Sequence, residues 1–380
     1  MKDPKQIIKD KLQRSQQPDQ LADEKVPRIT NKTISDHREE VLSGARKLIY
    51  PLQHPTKYII VISTALIVLA VVIFFTTTTL ALYRYQTTSN FMYRVTQVVP
   101  FPIARLGNTF VAYENYLFEL RQYVYYYENQ QSIDFDTEVG AQQLDNFRQR
   151  ALDKVINDAY IKRIAQENNI SVSDHEVEEK ISLFRRQERI GASNQELEDV
   201  LREFWDWSLD DFRRSLASQL LAQRVVAELD TDTQARAQAA LAEIEAGEDF
   251  EAVVAEYSDD PATIERGGEL GLEVTRLTRE IAPQTVEVLS ELEVGETSGV
   301  INIGYALQIV KLLEREGDTY QAAHILFTLE DIETYVNEAR EAEPARVYLQ
   351  LPDIPDIDVI RPLQLEPEPE IEAEEPDPAE

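Results

Sequence analysis

No cysteine occurs among the 380 residues. That removes disulfides, thiol nucleophiles, thiolate zinc sites and iron–sulfur clusters together. Histidine is scarce as well. The four present (His37, His54, His175, His324) are far apart and lack metal-ligand spacing, so no metal or cofactor is expected. Positive charge is the third shortage: 38 Lys and Arg face 69 Asp and Glu, for a net charge of −31. The deficit is uneven. Residues 1–57 carry 12 basic and 8 acidic side chains, while everything after them carries 26 against 61. A surface of that sign repels phosphate backbones, which excludes nucleic acid as a partner of the larger part.

What the sequence does contain is one long uncharged run. Residues 58–83, YIIVISTALIVLAVVIFFTTTTLALY, hold no charged side chain. As a helix they would extend about 39 Å at 1.5 Å per residue, against a hydrocarbon core of about 30 Å. A core helix of a soluble protein is usually shorter, and a cleaved leader has a shorter apolar stretch followed by small residues. The run therefore reads as a single transmembrane helix. Arg46, Lys47 and Lys57 before it, with Tyr58, Tyr83 and Tyr85 near its ends, suit interfacial anchoring. The positive-inside bias then puts residues 1–57 in the cytoplasm and the rest outside, in a single-pass arrangement.

At about 150 residues per domain, the length suggests two to three units. Residues 1–57 read as a polar cytoplasmic tail, with PKQIIKDKLQR as a candidate basic amphipathic helix. Residues 98–228 read as a helical module. It opens with a short strand, a turn at Gly107-Asn108 and a tyrosine-rich helix, whose tyrosines Tyr123, Tyr125, Tyr126 and Tyr127 fit either core packing or a client-binding face. Four further helices follow over 141–228. Ser173 with Glu176, Ser193 with Glu196, and Ser208 with Asp211 are capping-box pairs that open three of them. Residues 229–340 mix helices with strands, the clearest strands lying in GYALQIVKLLE and YQAAHILFTL. Residues 341–380 hold 8 of the 17 prolines, 13 acidic residues and 2 Arg, a composition that cannot bury a core, and are read as a largely disordered acidic tail. The fold class expected is α+β: one transmembrane helix, a mostly helical domain, and a small antiparallel sheet with helices.

The stretch AGEDFEAVVAEYSDDPATIERGGELG (246–271) closely resembles the parvulin-type peptidyl-prolyl isomerases, whose sequences run A-G-x-D-F, Y-S-D-D-P and G-G-x-L-G. ELEVGETSGVINIGYALQIVKLLE resembles the same family's last strand. The preceding LDNFRQRALDKVINDAYIKRIAQENNISVSDHEVEEKI is similar to the N-terminal chaperone domain of the SurA and PrsA class of foldases. The resemblance covers about residues 98–328. It implies a membrane-anchored extracytoplasmic foldase acting on unfolded or extended polypeptide clients, with no cofactor.

Rotation about an X–Pro bond has a barrier of about 18–20 kcal/mol. Lowering it needs no nucleophile, only an apolar cup for the ring and an environment favouring the twisted amide. The family supplies two strand histidines, an Asp or Cys, and apolar residues around the ring. Carried over, the acidic position is Asp260, the apolar ones are Leu270 and Leu277, and the second histidine is replaced by Ala306. The family's phenylalanines fall on Thr285 and Ser290. The first histidine is missing from its usual strand ahead of the first helix, yet Ala322-Ala323-His324-Ile325-Leu326 follows the last one. Two arrangements account for this: a circularly permuted parvulin with His324 in the first-histidine position, or the start of a truncated second repeat. The resemblance thus implies either an isomerase working with Asp260 and His324 or a catalytically inactive parvulin-like scaffold.

Overall fold

In the computed structural model, residues 30–49 and 56–352 are described. The expected PKQIIKDKLQR helix and the tail beyond Pro352 lie outside those residues. The chain divides into two compact units at Thr77/Thr78. The first contains helix α1 (Asn31–Ile49) and most of α2 (Thr56–Thr79). Residues 57–77 of α2 are exposed throughout. Among the described residues one helix, Lys57–Arg84, is long and apolar enough to cross a membrane. Its last turn widens at Leu80–Arg84, where the Tyr85 amide donates to the Leu80 carbonyl five residues back.

The second unit opens with α3 (Asn90–Val98) and a hairpin of β1 (Pro102–Leu106) and β2 (Thr109–Ala112). Gly107 turns that hairpin at φ +57°, a conformation that favours glycine. Five helices follow: α4 (Tyr113–Asn129), α5 (Glu138–Glu167), α6 (Asp174–Arg186), α7 (Asn194–Trp205) and α8 (Leu209–Leu229). All three expected capping boxes form, with Ser173, Ser193 and Ser208 each exchanging hydrogen bonds with the residue three places on. Phe147, fully buried on α5, receives the rings of Tyr123 and Tyr127 from α4 at 5.5 and 4.6 Å, so these two tyrosines serve the core.

The chain then leaves this module for α9 (Thr231–Glu245), α10 (Phe250–Tyr257), the short α11 (Pro261–Ile264), α12 (Pro283–Glu291), β3 (Ile301–Asn302), β4 (Ala306–Glu316) and β5 (Thr319–Thr328). Strands β3-β4-β5 form one antiparallel sheet, with Val310 opposite His324. Strand β5 therefore pairs with the strand before it, as the permuted arrangement requires. Its other edge is covered by residues 268–274, through bridges at Glu269–Ala323 and Val274–Tyr320. Alternation sorts the side chains. Leu307, Ile309, Ala323, Ile325 and Phe327 pack with Ala237, Ala240, Phe250 and Val253 of α9 and α10. Val310, Leu312, Tyr320 and Ala322 pack with Val286 and Leu289 of α12 on the opposite face.

After β5 the chain returns to the helical module. Helix α13 (Ile332–Ala342) sets Val336 and Ala339 against Tyr160 and Ile161 of α5, although the reading of 229–340 as one unit placed it with the sheet. Strand β6 (Arg346–Val347) then pairs with β1, and Leu349 is buried in the core beneath it. The entry to and exit from the sheet domain are adjacent: Asp230, the cap of α9, also accepts the backbone N–H of Glu330 at 2.9 Å.

Candidate functional site

His324 lies at the centre of β5 on the α12 side of the sheet, 6% exposed. Its backbone N–H donates to the Gly268 carbonyl at 2.8 Å. Gly268 sits at φ +86°, and a Cβ there would meet the His324 carbonyl oxygen at 2.5 Å. This close approach explains the second glycine of GGELG: no other residue lets the segment lie flat along β5.

The loop after α10 is stitched to the same strand. The Asp259 amide donates to the Leu326 carbonyl, the Leu326 amide to Ser258 Oγ, and the Thr328 amide to the Asp259 carboxylate, which also pairs with Arg236 at 2.6 Å. These contacts deliver the next residue, Asp260, to His324. Its Oδ2 lies 2.8 Å from His324 Nε2 and 2.9 Å from the Thr263 hydroxyl, while Oδ1 caps α11 by accepting the Ala262 amide at 3.1 Å. Asp260 is thus a helix-end turn residue and the histidine's partner at once.

Two residues that sequence reasoning did not assign to the site complete it. Gln308 on β4 places Nε2 2.6 Å from His324 Nδ1, and the buried Thr285 hydroxyl on α12 donates to Gln308 Oε1 at 2.5 Å. A line of hydrogen bonds therefore runs Thr285–Gln308–His324–Asp260, with Thr263 joining at its outer end. The signal for Gln308 was one polar residue in the apolar run ALQIV, on the face that also carries Val310. Thr285 falls where the family has a phenylalanine, and it faces a polar partner rather than a ring.

The network sets the protonation states. With Thr285 donating to its oxygen, Gln308 donates through Nε2, so His324 accepts at Nδ1 and donates from Nε2 to Asp260. Burial lowers the His324 pKa from its ordinary 6.5 against the opposing pull of Asp260. Burial alone would raise the Asp260 carboxyl, but the hydrogen bonds from His324, Thr263 and the Ala262 amide outweigh it and hold the pKa low. The pair at neutral pH is a neutral imidazole beside an ionised carboxylate. Both imidazole nitrogens are occupied inside the protein, whereas the Asp260 side chain is 21% exposed. Partial burial and the Asp260 charge together raise the phenol of the neighbouring Tyr305, whose side chain is largely exposed.

The remaining positions are dispersed. Leu270 is half-buried against the α12 side of the sheet, its amide bonded to the Ala322 carbonyl. Leu277 is 49% exposed in the Thr275–Thr278 turn. Ala306 is fully buried opposite Thr328, and Ser290 is exposed. No group of three or more His, Cys, Asp and Glu able to hold a metal occurs among the described residues.

A groove of about 650 Å³ lies in the helical module. Phe110, Phe118, Val155, Ala159, Ile170 and Leu221 supply its apolar wall, and Glu119, Lys154 and Asp158 a charged cluster. Lys154 bonds Asp158 at 2.9 Å and stands 3.9 Å from the nearly buried Glu119.

Comparison with known proteins matches two stretches of the chain. Residues 52–226 match the model of the SurA-like N-terminal domain, and residues 220–314 that of the PPIC-type PPIase domain. Strand β5, with His324, lies beyond the second match. Among curated relatives, the chaperone SurA of Albidiferax ferrireducens is 32% identical over 197 residues, covering 44% of this chain and 41% of that protein. The chaperone SurA of Nitrosospira multiformis is 28% identical over 206 residues, 46% of each chain. That of Methylobacillus flagellatus is 35% identical over 106 residues, 26% of this chain and 23% of the relative. The chain spans less than half the length of the curated relatives it matches. Residues 52–314 of this chain thus hold a match to a SurA-like N-terminal domain followed by a match to a PPIC-type PPIase domain.

Proposed function

We propose that the protein is a foldase of the bacterial cell envelope, anchored by the Lys57–Arg84 helix, that holds extended polypeptides and accelerates rotation of their X–Pro bonds. Residues 1–57 face the cytoplasm in this reading, and the domains after the span face outward. The single observation that carries the catalytic part is the 2.8 Å pairing of His324 with a partly exposed, ionised Asp260. A planar amide places negative charge on its oxygen; a twisted one places less there. A carboxylate held beside the carbonyl disfavours the planar form and lowers the barrier. Asp260 is then the group that meets the substrate. His324 is a positioning residue that keeps the carboxylate ionised and aimed, Leu270 and Leu277 contribute apolar surface for the ring, and Tyr305 flanks the carboxylate. The groove of the helical module suits the client chain, its apolar wall taking side chains and its charged cluster the peptide groups.

The second reading is a binding scaffold without isomerase activity. It is favoured by Ala306 in place of a second imidazole and by the exposure of Leu277. Isomerisation of a short X–Pro peptide by the full chain in detergent, beside Asp260→Asn, separates the two. Acceleration that drops about tenfold or more in the variant supports the isomerase. A folded chain that gives no acceleration is the scaffold, and its work is then measured as suppression of client aggregation.

A further inference from the structure

We infer that Gln187 and Arg189, just past the end of α6 in the helical module, are positioning residues for the site in the sheet domain. They fix the start of α12, and through it the Thr285–Gln308–His324–Asp260 line. The consequence for catalysis rests on the isomerase reading above; the consequence for the hydrogen-bonded line does not.

Helix α12 does not set its own starting point. Its N-cap residue is Ala282, which has no side-chain acceptor for the first amides, and Pro283 follows in the first turn. Residues 275–282 before it form neither helix nor strand. The helical module supplies donors to this stretch. Arg189 Nη2 donates to the Thr278 and Ile281 carbonyls at 2.7 and 2.6 Å, and its Nη1 to the Arg279 carbonyl at 3.4 Å. Gln187, only 2% exposed, donates from Nε2 to the Pro283 carbonyl at 2.7 Å. Its Oε1 accepts Arg189 Nε at 3.0 Å, so the two side chains act as one fork.

The backbone is bent to aim that fork. Glu188, between them, stands at φ +51°, a left-handed conformation uncommon for any residue but glycine. Its carbonyl accepts Arg279 Nη2 at 2.6 Å, and its carboxylate pairs with Arg276 at 2.6 Å. The segment is therefore gripped in both directions, by donors from 187 and 189 and by acceptors at 188. Two residues beyond the Pro283 carbonyl lies Thr285, fully buried, whose hydroxyl orients Gln308 toward His324. Moving α12 by about 1 Å breaks that bond. Gln308 then has nothing to keep its amide N–H on His324 Nδ1.

The test reads that nitrogen directly. The full chain is labelled with isotopic histidine and held in detergent above the histidine titration range. The Nδ1 resonance of His324 is assigned by its loss in His324→Gln. Arg189→Met and Gln187→Met remove the donors and keep most of the bulk. The inference expects the resonance to move toward that of an imidazole nitrogen without a hydrogen bond, in the direction that Thr285→Val produces. It also expects kcat for an X–Pro peptide to fall about threefold or more, with KM changed less than about twofold. Arg213→Met, which removes an ion pair with Glu178 elsewhere in the module, should move neither. A tie that only adds stability leaves the resonance in place, so folded Met variants with the parent resonance overturn the inference. Should Arg189→Met not fold, Gln187→Met, which removes a single donor to the segment, decides alone. A moved resonance in a chain that never accelerates X–Pro rotation supports the positioning role and overturns the isomerase reading instead.

Discussion

Glu119 and Asp260 are both carboxylates taken largely out of water, yet the protein moves their pKa values in opposite directions. Glu119 is raised: burial dominates, because its close partners are the Gln122 amide at 2.6 Å and a lysine that already serves Asp158. Asp260 is lowered because three donors, from His324, Thr263 and the Ala262 backbone, converge on it. The sign follows from burial weighed against donors: Glu119 is the more deeply buried and has few, whereas Asp260 keeps some exposure and has three. The site in the sheet is built to keep its charge, while the carboxylate in the groove holds a charge it would more easily lose.

The sharpest way to break this contrast is to remove the imidazole. His324→Ala withdraws one donor from Asp260 and strands Gln308 in the interior, and we expect a loss of about 2–4 kcal/mol in denaturant unfolding. An unchanged midpoint would mean the hydrogen-bonded line does not exist in solution. Thr285→Val keeps the shape and removes only the inner end of the line; about 1–2 kcal/mol should be lost, with X–Pro catalysis reduced less than by substitution of Asp260.

The pH dependence separates the two carboxylates by sign. Asp260, with its folded pKa depressed, contributes stability present above its unfolded value and lost as pH falls through the folded one. His324, also depressed, costs stability as pH drops below about 6.5, where the unfolded imidazole takes up a proton first. Glu119, raised, opposes folding once pH exceeds the ordinary carboxylate range, and acid relieves it. Glu119→Gln should therefore raise the melting temperature at neutral pH, by the equivalent of about 1 kcal/mol, with the gain vanishing in acid. Equal gains at both pH values would show that packing, not charge, is responsible. Glu176 supplies the smallest effect. Hydrogen bonds from Arg224 and Ser173 pull it down to about 2, but water reaches the pair, so Glu176→Gln should change stability by less than about 1 kcal/mol.

Much of this was legible in the residues. The capping boxes, the Gly107 turn, the apolar span and the DDP…GGELG framework are local signals, each carried by a few neighbouring side chains, and Asp260 and His324 were reached through them. Gln308 and Thr285 were not, because their meaning depends on a contact across 23 positions of sequence. Nothing near Thr285 distinguishes a threonine that closes a buried hydrogen-bond line from one that has merely lost an aromatic ring. The same limit hid the return of α13 and β6. Arg346-Val347 is too short to show strand periodicity, and it is a strand only because β1 offers it an open edge.

That return has a mechanical consequence. A domain hung on a single linker tumbles almost freely, but the sheet domain leaves and re-enters its host side by side at Asp230 and Glu330 and is tied to it a third time by Arg186, Gln187 and Arg189, which bond Glu287, Pro283 and Ile281. Such a three-point attachment resists twisting, stretching and rocking together. It also means that a protease cutting either segment alone leaves the domain attached.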